Sequence, residues 1–321
     1  MDSIIDCTAR SGSKEIVQMR LTKELRMPLI KPTPNNVPHR ILSIDMGIRN
    51  LALCLLNIKS EPHPPQVSHW KRVTVSEKPE SKDEVESFDP IDFAPKAYTL
   101  IKNVLEEYEP HTVLIEQQRY RSAGGAAIQE WTVRVNMLES MFHAILYTFA
   151  QQKQLDLAVH SVSPQRMTKF WLADVDLEQD RAKETKYAKI ALVERIIEGN
   201  GPNVVFKGEA EATALGFRSR GRGVATLKMD DLADSLLQGL AWWKWDVNRR
   251  EMWRDYMSEE SEILEREARA REHELAEKDK ARRKIKSLEE RESEPVVKRR
   301  GQKKSASKRS EKSSEKVQTL T

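Results

Sequence analysis

Asp45 ends a short apolar run, Ile41-Leu42-Ser43-Ile44, and Glu116 ends another, Val113-Leu114-Ile115. Asp230, Asp231 and Asp234 open a third apolar stretch. An acid at the edge of a core element costs free energy unless it is paired or holds a metal. Several such acids point to one shared site. Carboxylates brought together repel, and a hard divalent cation such as Mg²⁺ relieves the repulsion through oxygen ligands. Cleavage of a phosphodiester by two metal ions needs that arrangement.

The three aspartates have a structural alternative. Asp is favoured at a helix start, where it caps free N–H groups and meets the helix dipole. One Asp suffices for that, and three within five residues repel. On a helical wheel Leu232, Ala233, Leu236, Leu237 and Leu240 form the apolar face. Asp230 and Asp234, one turn apart, flank that face on one side, while Asp231 falls nearer the opposite side. Asp234 therefore stands first, with Asp230 or Asp231 as its partner.

Arg119-Tyr120-Arg121-Ser122 and Gly124-Gly125 follow Glu116 directly. A basic, aromatic segment beside acids suits phosphate contacts and base stacking. A second basic stretch carries Arg218, Arg220 and Arg222. The seven histidines form no metal-binding pair of motif spacing, and His160 reads as a structural histidine. No Gly-rich phosphate loop precedes a helix, so no small-molecule cofactor is expected.

The elements that must position these residues follow from hydrophobic period. Ile41–Asp45, Leu51–Ile58 and Val67–Val75 read as an antiparallel set, with residues 46–50 as a turn. A helix over Phe93–Tyr108, a strand over Thr112–Glu116, a long helix over Ala127–Ala150 and a strand over Leu157–Val162 come next. Helices are expected at 165–173 and 181–198, a Gly-rich basic loop at 199–228, and a last core helix over Asp230–Trp245. Trp242, Trp243 and Trp245 are expected to pack in the core or an interface. This order suits an α/β sheet with an antiparallel part and parallel additions.

Outside residues 40–250 the composition changes. Residues 10–26 read as a turn and a short helix, and Pro28, Pro32, Pro34 and Pro38 make a linker that cannot be helical. Residues 251–295 read as a separate helix charged on nearly every face. Residues 296–321 read as a disordered basic tail, with nine Lys or Arg against two Glu in 298–316. Net charge is +4. No apolar run approaches the roughly 18 residues of a membrane span, so no membrane partner is expected. Cys7 and Cys54 make no metal pair and no disulfide framework. The first 20 residues lack a secretory apolar core and carry Asp2, Asp6 and Glu15, unlike a mitochondrial presequence.

Four segments together resemble the fungal mitochondrial cruciform-cutting endonucleases, Holliday junction resolvases of the RuvC-like, ribonuclease-H-like group. They are Ser43-Ile44-Asp45-Met46-Gly47-Ile48-Arg49-Asn50-Leu51-Ala52, Ile115-Glu116-Gln117-Gln118-Arg119-Tyr120-Arg121, Ser161-Val162-Ser163-Pro164, and Lys228-Met229-Asp230-Asp231-Leu232-Ala233-Asp234-Ser235-Leu236-Leu237. The resemblance spans about residues 40–246. It implies a mixed five-stranded ribonuclease-H-like sheet with flanking helices. It implies a mitochondrial homodimer that binds four-way junction DNA and nicks opposed strands with Mg²⁺, for which Mn²⁺ can substitute, two ions to a site. Asp45, Glu116 and Asp234 match the family's metal-binding acids, with Asp231 or Asp230 as the fourth. Ser11-Gly12-Ser13-Lys14 looks like the second half of a SAP-type helix pair, although only nine residues precede Arg10. A relative in this family binds RNA in intron splicing without cutting; the complete acid set here favours the enzyme.

Overall fold

The computed structural model describes residues 13–27, 29–30, 37–59, 63–76, 87–118, 129–173, 181–218 and 229–292. Among these, β1 (His39–Asp45), β2 (Leu51–Ile58) and β3 (Gln66–Val73) run antiparallel in sequence. β4 (Thr112–Glu116) lies parallel to β1, and β5 (Ala158–Val162) parallel to β4. A two-residue β6 (Val205–Phe206) adds to β3, so the order is β5-β4-β1-β2-β3-β6. That is one strand more than the five expected.

Strand side chains alternate between faces, and both faces of this sheet are apolar. Ile41 in β1, Ala52, Cys54 and Leu56 in β2, and Leu114 in β4 belong to one core cluster. Leu42, Ile44, Leu53, Leu55, Val113 and Ile115 belong to the other. The second cluster is closed by α2 (Pro90–Tyr108), through Phe93, Ala97 and Ile101, and by α3 (Glu130–Gln152), through Leu138, Phe142 and Leu146. The first is closed by α5 (Arg181–Ile197), α6 (Glu209–Arg218) and α7 (Met229–Glu292). The result is a helix–sheet–helix sandwich. The remaining helices are α1 (Lys14–Leu25) and α4 (Pro164–Trp171).

Two expectations need correction. Residues 199–228 were expected as loop, yet β6 and α6 lie within them. Ala210, Ala214 and Phe217 recur at helical spacing and are buried, which outweighs the Gly and Arg around them. Asp230–Trp245 and residues 251–295 were expected as separate helices, yet α7 runs unbroken from Met229 to Glu292. No Gly or Pro stands between residues 240 and 294 to stop it. The chain divides into two compact units, 1–256 and 257–321. In the second, the described residues are helical and laced by short-range ion pairs such as Lys278–Glu274 at 2.6 Å.

Candidate metal centre

Asp45 is the last residue of the central strand β1 and is only 7% exposed. The turn that follows depends on Gly47, where an added Cβ would stand 2.9 Å from the Asn50 carbonyl oxygen. Glu116 ends the neighbouring parallel strand, so both acids emerge at the same end of the sheet. Their carboxyl groups stand close enough to act on each other. Burial, then the charges of Glu116 and Asp234, then the nearness of the Glu116 carboxyl and the charge of Asp231 hold the Asp45 carboxyl well above the usual aspartate range.

The other acids come from the first turns of α7, and packing fixes where that helix lies. A Cβ added at Gly239 would come within 2.4 Å of the Leu56 side chain, so any larger residue would force Leu56 to shift and loosen this close approach to the sheet. Beside it, the buried Gln238 amide donates to the Ser43 hydroxyl at 3.0 Å and to the Ile44 carbonyl at 3.2 Å. The Trp70 indole N–H of β3 reaches the Leu232 carbonyl at 2.9 Å. These contacts aim the start of α7 at the end of β1.

Asp234 is hydrogen-bonded to Lys189 of α5, and Asp230 meets Lys186 of the same helix at 2.6 Å. Burial raises the Asp234 carboxyl above its usual range, opposed by Lys189 and assisted by Glu116 and Asp230. Glu116, Asp234 and Asp231 act on Asp45, while Asp230 acts on Asp234. The wheel had set Asp231 away from the apolar face. Side chains of a helix tilt toward its N-terminus, so an acid in the first turn reaches past the helix end instead of lying on a face.

These residues fit a divalent cation. The buried Asp45 carboxyl, with Glu116, Asp231 and Asp234 acting on it, concentrates negative charge, which Lys189 and Lys186 partly offset. Hard oxygen donors of this kind suit Mg²⁺ or Mn²⁺. Among the described residues, no three or more His, Cys, Asp or Glu side chains already stand together as a ready-made metal site, so binding would draw these acids closer.

The sequence over residues 41–252 matches the family model described as mitochondrial resolvase Ydc2 / RNA splicing MRS1. The chain belongs to this family. It is 31% identical over 244 residues to the mitochondrial cruciform cutting endonuclease 1 of Schizosaccharomyces pombe, covering 74% of this chain and 87% of that protein. The Saccharomyces cerevisiae protein of the same name is 26% identical over 246 residues, covering 65% and 69%. The crystal structure of the yeast mitochondrial Holliday junction resolvase Ydc2 superimposes with a TM-score of 0.58 at 29% identity, over 80% of this chain and 95% of that one. The fold is thus the ribonuclease-H-like fold of the Ydc2 resolvase family.

Of the residues singled out for DNA contact, Arg119, Tyr120, Arg121, Arg220 and Arg222 lie outside the described residues. Arg218 is the last residue of α6. His160 packs at a tilt against Trp242 with ring centroids 4.5 Å apart, and burial lowers its basicity, as suits a structural histidine in this Ydc2-like core. Trp242 and Trp245 are buried core residues. Sequence reasoning missed Lys186, Lys189, Gln118 and Glu139. The Gln118 side chain donates to Glu116 Oε2 at 2.9 Å, and its backbone N–H donates to Glu139 Oε2 at 3.0 Å. A signal for Glu139 was present. It falls four residues after Val135 and three before Phe142, on the buried stripe of α3.

Proposed function

We propose that this chain is a mitochondrial Holliday junction resolvase. It cuts four-way DNA junctions by paired nicks, with Mg²⁺ as its metal and a homodimer as its working form. The observation that carries this reading is the convergence of Asp45, Glu116, Asp231 and Asp234 at one end of the sheet, in a member of the Ydc2 resolvase family. The names of the curated relatives support both the substrate and the compartment.

In this reading Asp45 and Glu116 hold the metal from the sheet, and Asp234 and Asp231 hold it from α7. Asp230 stays one step out with Lys186. Metal bound there would activate a water and stabilise the leaving 3′ oxygen. The protein's own contribution is to fix the acids on rigid elements. It also supplies cations: Lys189 and Lys186 reach the same acids from α5 and can turn to backbone phosphates once metal replaces them. A two-fold dimer presents two such sites to a roughly two-fold junction. The basic stretches, Arg119 to Arg121 and Arg218 to Arg222, would contact the junction strands.

The test is a synthetic four-way junction and a matched linear duplex, each incubated with Mg²⁺ or EDTA. Paired nicks in the junction alone, dependent on Mg²⁺, are expected. Junction binding without cutting in either Mg²⁺ or Mn²⁺ would instead support the RNA-splicing branch that the family description also names.

A further inference from the structure

Glu116 is the least enclosed of the sheet acids and ends its strand, so something must fix its carboxylate. The ladder to β5 continues one residue past it, with the Gln117 N–H donating to the Val162 carbonyl at 2.9 Å. At Gln118 control passes from the sheet to α3. The Glu139 carboxylate accepts the Gln118 backbone N–H at 3.0 Å, and the Gln118 side-chain amide turns back to Glu116 Oε2 at 2.9 Å. One oxygen of Glu116 is thereby engaged, and its carboxyl lies beside that of Asp45. The Gln118 hydrogen bond restricts the orientations that this carboxylate can present to a cation. Partners that orient ligands commonly change metal affinity by 10- to 100-fold when removed.

We propose that Gln118 and Glu139 are positioning residues of the metal centre: Glu139 anchors the backbone of Gln118, and Gln118 orients the Glu116 carboxylate toward the metal. This rests on the metal-dependent reading of the site. Glu139 acts through its hydrogen bond and not as a ligand. A glutamine at residue 139 keeps an acceptor for the Gln118 N–H, whereas an alanine does not.

The experiment measures Mn²⁺ binding to the full-length protein by the spin resonance signal of free Mn²⁺. In parallel, junction cutting is followed as a function of Mg²⁺ concentration, with thermal unfolding in EDTA as a check on the fold. Gln118→Ala and Glu139→Ala are expected to weaken Mn²⁺ binding by about tenfold or more. Both should move the Mg²⁺ dependence of cutting to higher concentration, so that excess Mg²⁺ restores much of the rate. Glu139→Gln should recover most of the affinity that alanine loses. Unchanged Mn²⁺ binding in Gln118→Ala and Glu139→Ala overturns the proposal. So does equal loss in Glu139→Gln and Glu139→Ala, which would make Glu139 act by its charge. Asp45→Asn serves as the reference. If it too leaves Mn²⁺ binding unchanged, the metal-centre reading itself fails, and with it this inference.

Discussion

Gln238 in α7 donates its side-chain amide to the Ser43 hydroxyl in β1 at 3.0 Å, with both residues buried. The two lie close in sequence to the acids they align: Ser43 is two residues before Asp45, and Gln238 is four after Asp234. This one contact joins the two elements that carry the candidate metal-binding acids. Replacing Gln238 by Leu keeps volume but leaves buried acceptors on Ser43 and Ile44 without their donor. Such a loss costs about 1–3 kcal/mol. Urea denaturation should show that loss, with cutting reduced at limiting Mg²⁺. An unchanged denaturation midpoint would show that packing at Gly239 alone fixes the helix.

Asp45→Asn should abolish junction cutting, retain junction binding, and stabilise the protein in EDTA. The charge at Asp45 is buried among other acids, and its carboxyl titrates above the usual aspartate range. Across the interval between the ordinary and the raised value, the folded state holds a proton that the unfolded chain has released. Stability therefore falls as pH rises through that interval. Asn cannot ionise, so that fall should shrink in the variant. Each ~1 kcal/mol gained at neutral pH raises the melting temperature by roughly 2–4 °C in a domain of this size. A variant melting below wild type in EDTA at neutral pH would contradict the strain assigned to this site.

Asp231→Asn should lose cutting as fully as Asp234→Asn, while Asp230→Asn keeps activity within about tenfold, a barrier change of about 1.4 kcal/mol. The charge of Asp231 acts on the buried Asp45, whereas Asp230, which acts on Asp234, is paired with the half-exposed Lys186. Cleavage rates for the three single variants at saturating Mg²⁺ decide the matter. Complete loss in Asp230→Asn with a functional Asp231→Asn would restore the assignment drawn from the helical wheel.

That contrast marks where sequence reading stops. Strand ends at Asp45 and Glu116 follow from apolar runs closed by an acid, and the helix after Asp230 follows from its leucine spacing. Both signals are local. Which of Asp230 and Asp231 faces Asp45 depends on how α7 crosses the sheet, and Gly239 and Gln238 set that crossing through residues nearly 200 positions away. Glu139 was hidden for a similar reason. An acid on an apolar helical stripe announces that it is unusual, but its partner, the Gln118 backbone, becomes visible only once α3 is laid against β4.

The N-terminal segment was read as a helix and linker apart from the catalytic core, yet it is tied in by charge. Glu24 in α1 is 7% exposed and meets Arg249 of α7 at 2.9 Å and Arg166 of α4 at 2.7 Å. Arg249 is 1% exposed and also approaches Asp246 at 3.4 Å, while Asp246 accepts the Ile30 backbone N–H at 2.8 Å. The Arg166 guanidinium lies 3.8 Å from the centre of the Trp245 ring. Removing one member of a buried pair strands the other, at a cost of about 3–5 kcal/mol. Here the cost should fall toward the lower figure, because Asp246 remains beside Arg249. Glu24→Gln should therefore destabilise the folded unit by about 3 kcal/mol. The same change in an Arg249→Met background should cost less, because only the part-exposed Arg166 is then left without Glu24. A double-mutant cycle by denaturant unfolding measures the difference, and contacting residues typically couple by about 0.5–3 kcal/mol. Additive costs would mean that Glu24 and Arg249 do not interact and that the N-terminal segment is held by its other contacts, among them Arg166 on Glu24 and the packing of Met27 and Ile30.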